Sequence, residues 1–182
     1  MKSSVNTHRL TTCALLSAIL CIFSVIAIPI GTIPLTLGLF GVIVVGCLSD
    51  AKLSFTSVLI YILLGITGLP VFSGMRAGVT VVTGPTGGFI ISYILVAPAA
   101  GFFFNHANKS SAHRYILYIT GALFCLLVCY TIAVIHFMFV MKCNLTQAIF
   151  ECVLPFIIFD LLKTLSAFYI SQSIITRIKQ KG

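Results

Sequence analysis

The chain has 182 residues, 59% of them hydrophobic and only 8% charged. Soluble globular chains carry about 25% charged residues and disordered chains lack this apolar content, so both classes are excluded and lipid is the expected solvent. The net charge of +8, from 11 Lys+Arg against 3 Asp+Glu, is therefore read as a membrane-topology signal before it is read as a nucleic-acid signal.

Apolar runs of about 20 residues cross a bilayer, and shorter ones occur in compact bundles. On that basis the chain divides into six predicted spans: about 10–29, 35–49, 53–68, 86–104, 115–140 and 150–176. The first runs past the short apolar core of a cleaved signal peptide, and it carries the small-xxx-small pair Ala14 and Ala18. Pro29, Gly31 and Pro34 end it and open the second span. Asp50 and Lys52 fall in the tight turn before the third, where a solvated role is expected. Gly68-Leu-Pro70 ends the third span.

Between the third and fourth spans lies a Gly/Pro-rich stretch, from Gly65 to Gly78 and again from Thr83 to Phe89. Glycine permits close backbone approach and proline fixes turns, which predicts a structured cap rather than a floppy loop. Arg76, in its middle, is positioned to meet an anionic group or a lipid headgroup. Gly84 to Gly88 is not a nucleotide loop, because no Gly-Lys-Ser/Thr follows it. ATP hydrolysis by that route is excluded. Asn105 to Arg114 reads as a polar loop; His106 and His113 within it have no third ligand, so no metal site is expected. His136 reads as a packed or interfacial side chain. The seven cysteines show no zinc spacing or disulfide framework, and Cys125 and Cys129 are expected to be buried thiols.

With the N-terminus in the cytoplasm, Lys2, Arg9, Lys52, Lys109, Arg114, Arg177, Lys179 and Lys181 lie inside. Only Arg76 and Lys142 lie outside, and Lys163 falls within a span. The asymmetry predicts both termini in the cytoplasm and leaves nucleic-acid binding unsupported.

Glu151 opens the sixth predicted span, where the helix macrodipole would favour it. Asp160 and Lys163 have no such ordinary explanation. They sit about ten residues into that span, roughly 15 Å deep at the helical rise. A charge near the bilayer centre costs about 2.5–3.5 kcal/mol on the mildest scale, so intramembrane charges point to function. The i,i+3 spacing lets the two pair on one face, which continues through Thr164, Ala167 and Ser171, while Leu161, Leu165 and Phe168 point elsewhere. An internal packing pair is the alternative to a ligand cradle.

Three segments together carry a family resemblance: Gly68-Leu-Pro-Val-Phe72, Gly84-Pro-Thr-Gly-Gly-Phe89 and Asp160-Leu-Leu-Lys163. In a small six-span chain they resemble the BioY family, the biotin-binding S components of energy-coupling factor (ECF) transporters. Ile33-Pro-Leu-Thr-Leu37 is similar to the family's Pro-x-Thr opening of the second helix. The departures are Gly38 where the family commonly has Gln, Phe89 where it has Tyr, and Phe159 where it often has Gly.

The resemblance implies an all-α integral membrane protein of the ECF S-component fold, with six transmembrane helices and an extracytoplasmic cap, in a bacterial cytoplasmic membrane. It implies biotin held between the last three helices, with Asp160 and Lys163 engaging its polar atoms and Phe72, Phe89 and Tyr93 packing on its apolar parts. Thr36 and Thr164 join that ligand set, and Arg76 is expected to meet the valerate. Ala14 and Ala18 match the family's contact with the transmembrane coupling protein. ATP is then hydrolysed by two partner ATPases, and this chain binds no cofactor or metal and catalyses nothing. The rival expectations are an S component for another vitamin or cofactor precursor, or a membrane enzyme. The enzyme reading lacks a nucleophile–base set or an acidic metal cluster.

Overall fold

The protein is described by a computed structural model covering residues 2–109 and 113–181. The middle of the predicted polar loop, and the side chains of Lys2, Lys109, Lys179 and Lys181 in the charge count, lie outside the described residues. The chain runs α1 (Lys2–Val25), β1 (Ala27–Ile28), β2 (Leu35–Thr36), α2 (Gly38–Leu48), α3 (Ala51–Ile66), α4 (Val79–Val82), α5 (Gly87–Lys109), α6 (Arg114–Met141), α7 (Leu145–Cys152) and α8 (Ile157–Lys181). It is a helical membrane architecture, as expected, with one short antiparallel pair of two-residue strands that the turn at Pro29 to Pro34 did not foretell.

Thr7–Val25, Gly87–Asn108 and Arg114–Met141 are long and apolar enough to cross a membrane, and the bent pair α7–α8 makes a fourth candidate. α2 and α3 are shorter, with 11 and 16 residues. At 1.5 Å per residue α2 spans only about 16 Å, half the hydrocarbon thickness. Its composition explains why that suffices. It is apolar all round and almost wholly buried, with only Phe40 partly exposed between Leu39 and Cys47, so its surroundings are protein rather than lipid. It packs against α1, α5 and α8. At Gly46 it comes so close to α5 that an added Cβ would collide with the Ala97 carbonyl. Small residues permit such crossings where lipid gives no hydrophobic drive to helix association.

The sixth predicted span is divided. α7 and α8 meet at 53°, at a break containing Pro155, which has no N–H to continue a helix and clashes with the preceding turn. Two expectations change with it. Glu151 lies in the last turn of α7, at the end where a carboxylate is disfavoured, and it is exposed. Asp160 lies in the first turn of α8 instead of ten residues into a continuous helix. The macrodipole argument belongs to Asp160. Phe168, expected to point away from the polar stripe, is fully buried in a stack with Phe104 and Tyr118.

The Gly/Pro-rich stretch is a structured cap. Phe72 and Arg76 form an antiparallel bridge, α4 supplies a single turn, and Gly68, Gly74 and Gly78 adopt left-handed φ angles of 108°, 68° and 95°. Gly74 N–H donates to the Val25 carbonyl at 3.3 Å, and Gly78 N–H to the Gly65 carbonyl at 2.7 Å. The cap is thereby tied to the ends of α1 and α3. On the opposite side of the second-to-third helix connection, Asp50 caps α3 by accepting from Leu53 N–H at 2.7 Å and pairs with Arg9 at 2.5 Å. Both side chains are half exposed, so the ordinary turn role holds.

Candidate ligand-binding site

Beneath the cap is a cavity with about 570 Å³ free of protein atoms, its open mouth included. The ends of α1 and α2, the β1–β2 hairpin, α3, α5 and the start of α8 all reach it. Its apolar wall includes Ile33, Pro34, Leu39, Phe89 and Phe156, and its polar groups come from Ser24, Thr36, Tyr61, Ser73, Thr86, Tyr93 and Asp160. A mainly apolar concavity with a few convergent polar groups is the usual form of a small-molecule site.

Asp160 is the charged element of this wall. Its side chain is 9% exposed, and each carboxylate oxygen has a partner. Lys163 Nζ donates to Oδ1 at 2.6 Å and the Tyr130 hydroxyl donates to Oδ2 at 2.8 Å. Lys163 donates a second bond to the Thr36 carbonyl at 2.8 Å. The pair is thus paired and hydrogen-bonded, the condition under which buried charge is tolerated. It also keeps spare capacity. Each carboxylate oxygen retains a lone-pair site and the ammonium retains one N–H, so a ligand can add contacts without dismantling the pair.

Of the residues singled out in the sequence, Asp160, Thr36, Phe89 and Tyr93 line the cavity together. Lys163 stands one bond behind Asp160. Phe72, Arg76 and Thr164 do not line it. Phe72 is fully buried, seated on Gly65 and edge-on to Tyr61 at 5.5 Å, so it supports the cavity wall from behind. Arg76 is exposed and donates to the Ser73 carbonyl at 3.1 Å and the Ser73 hydroxyl at 2.9 Å, one residue away from the lining. Thr164 is fully buried and donates to the Leu161 carbonyl within α8. Ala14 and Ala18 are exposed on α1.

Several residues of the site, the cavity-lining Tyr61 of α3 among them, were not read from the sequence as such. Tyr130 braces Asp160, and the signal for it was a hydroxyl inside an apolar span, which needs a partner when buried. Ser24, at the end of α1, gave no signal. His136 holds the glycine turn: its Nε2 lies 3.1 Å from the Gly84 carbonyl, and the α6 backbone at Ala133 leaves no room for a Cβ at Gly88. The turn so seated presents Thr86 and Phe89 to the cavity. Cys125 and Cys129 are buried thiols, the latter bonded to Ser92 at 3.2 Å. Among the described residues no cluster of His, Cys, Asp and Glu could hold a metal.

A helical membrane protein with a capped, charge-braced cavity at one end defines a class: a membrane-embedded binding protein for a small polar ligand. The model of the BioY family matches residues 1–180, and the chain belongs to that family. Biotin transporter BioY2 of Lactococcus lactis subsp. cremoris is 35% identical over 121 residues, covering 66% of each chain. Biotin transporter BioY of Thermotoga maritima is 31% identical over 160 residues, covering 88% of this chain and 91% of its own. A crystal structure of the S-component for biotin from an ECF-type ABC transporter superposes with a TM-score of 0.84 at 25% identity, covering 100% of this chain and 96% of its own. The fold is that of an ECF S component, and the family is one of transporters, which removes the membrane-enzyme alternative.

Proposed function

We infer that this chain binds biotin with high affinity and serves as the substrate-binding subunit for its uptake across the cytoplasmic membrane. The observation that carries the reading is the Asp160–Lys163 pair, braced by Tyr130 and Thr36 at the wall of a capped cavity, in a member of the BioY family.

Biotin presents a cyclic urea, a thioether ring and a carboxylate tail. Asp160 accepts from a urea N–H with its spare lone pairs, and Lys163 contributes its remaining N–H to the same polar end or to the tail. Phe89 and Tyr93 flank the apolar ring, and Thr36 sits on the floor between them and the ion pair. Arg76 and Ser73 stand at the cap, where Arg76 takes the tail after releasing Ser73. Phe72 and Thr164 act through packing. The exposed Ala14 and Ala18 on α1 form the surface on which an ECF coupling protein docks, and two ATPases of that module supply the energy. Both termini face the cytoplasm.

Direct binding of biotin and of other vitamins to the purified protein tests the reading. Nanomolar biotin affinity lost in Asp160→Asn supports it; selective binding of a different vitamin sinks it. Labelled biotin uptake in a biotin-auxotrophic host, with and without a coexpressed coupling module, tests the partner assignment.

A further inference from the structure

The exposed side of α6 carries a second concavity, outside the cavity already described. Ile135, Met138, Phe139, Lys142 and Cys143 line a groove with about 520 Å³ free of protein atoms, its open side included. α6 is long and apolar enough to cross a membrane, and Ile135 and Phe139, one turn apart on one face, are 51% and 79% exposed. What fills such a groove is therefore lipid. Its level along the helix fits a phospholipid. His136 reaches the Gly84 carbonyl, so this is the cap end of α6, and Lys142 stands at its C-cap. Ile135 lies seven residues below the lysine, about 10 Å at the helical rise. A phosphate held at Lys142 places acyl carbons against Phe139 and Ile135.

The charge adds selectivity. A helix C-terminus favours a cation, but Lys142 has no carboxylate to pair with among the described residues. Asp50 pairs with Arg9, Asp160 pairs with Lys163, and Glu151 stands at the far end of α7. A headgroup with net negative charge completes the ammonium, whereas a zwitterionic one brings its own cation to the same phosphate. The groove also backs onto the ligand cavity. Met138 and Cys143 pack on the buried cluster that joins Phe137 of α6 and Cys152 of α7 to Ile33 and Phe156. Ile33 and Phe156 line the cavity.

We propose that this groove binds one anionic phospholipid, with its phosphate on Lys142 and an acyl chain along Phe139 and Ile135, and that the bound lipid steadies α7 and the cavity wall behind it. The site goes beyond the transport reading and does not depend on what the cavity holds.

The test equilibrates the purified full chain in detergent with equal amounts of phosphatidylglycerol and phosphatidylcholine of the same acyl composition, and reads retained lipid by native mass spectrometry. Melting temperature is measured in phosphatidylcholine nanodiscs with and without phosphatidylglycerol. The wild type is expected to retain phosphatidylglycerol roughly fivefold over phosphatidylcholine, the size of one lysine's attraction to an anionic headgroup, and to melt higher in its presence. Lys142→Gln should fold and lose both differences. Ile135→Trp, which fills the groove from its exposed side, should retain less of either lipid. Arg76 and the other basic residues are unchanged in both variants, so a headgroup preference that persists in folded Lys142→Gln overturns the proposal. Equal retention of the two lipids by the wild type overturns it as well. So does a dimer mass that Ile135→Trp abolishes, because a second copy of the chain would then occupy the groove. Selective retention without the higher melting temperature overturns the link to the cavity wall.

Discussion

The Lys163 ammonium donates to the Thr36 carbonyl at 2.8 Å, so the first turns of α8 are joined to the hairpin that follows α1. The same ammonium holds Asp160, which makes one side chain the meeting point of α8 and the hairpin. The bond uses a backbone carbonyl, so its existence does not depend on the Thr36 side chain.

The pair is expected to carry structure and binding separately. Lys163→Met leaves Asp160 buried with Tyr130 alone, which should cost about 3–5 kcal/mol of stability. Adding Asp160→Asn removes the unpaired charge while keeping an acceptor for Tyr130, so the double variant should recover most of the lost melting temperature. Biotin affinity should stay abolished in both. Melting and binding measured on the same preparations check this, and recovery of binding in the double variant would show the pair to be structural only.

Tyr130→Phe removes the hydroxyl that holds Asp160 Oδ2 and nothing else from the ring. A hydrogen bond to a charged group contributes about 1.5–3 kcal/mol. The lost bond also frees the carboxylate to rotate about its remaining partner, Lys163. A fall in biotin affinity of about tenfold is expected for this shift, measured by titration calorimetry. The edge-on contact with Phe89, at 6.4 Å between ring centres, is retained in the variant.

What the sequence made legible is what composition and local spacing can encode. The apolar runs, the cap composition and the i,i+3 pair at Asp160 and Lys163 were all readable, because a charge in an apolar segment stands out against its surroundings. The break at Pro155 was lost inside a long apolar run, since hydropathy alone does not register a missing N–H. That one residue moved Asp160 from mid-helix to a helix start. Tyr130, Ser24 and His136 were unreadable as site residues for a different reason. Tyr130 meets its partner 30 positions away and His136 meets its own 52 away, and single-chain spacing carries no information about such meetings. Phe72 and Arg76, expected to touch the ligand, do not line the cavity, because the fold turns one into the wall's support and leaves the other on the cap's exposed side.

Gly65→Ala tests the seating of the cap. A Cβ there would collide with the edge of the Phe72 ring, which is fully buried. Overpacking of this kind typically costs about 1–3 kcal/mol, and the displaced ring pushes on Tyr61 in the cavity wall. Lower thermal stability together with weaker biotin binding is expected. Pairing it with Phe72→Leu, which vacates the space, should restore part of the stability and thereby tie the defect to this contact.

His136 offers the last prediction, because its role separates into shape and hydrogen bond. The ring abuts Gly87 and the side chain's Cβ abuts Gly88, and Nε2 meets the Gly84 carbonyl at 3.1 Å. That carbonyl is an acceptor, so the nitrogen facing it must carry the proton. Gln at this position keeps an N–H donor on a side chain of similar reach; Leu keeps apolar bulk and has no donor. If the bond seats the turn, His136→Leu weakens biotin binding by several-fold through a faster dissociation rate, because the turn presenting Thr86 and Phe89 releases its hold on bound ligand. His136→Gln should then bind nearly as the wild type does. Stopped-flow or surface-plasmon measurement of dissociation reads this directly. Equal dissociation rates in the Leu and Gln variants would mean that packing against Gly88 alone positions the turn.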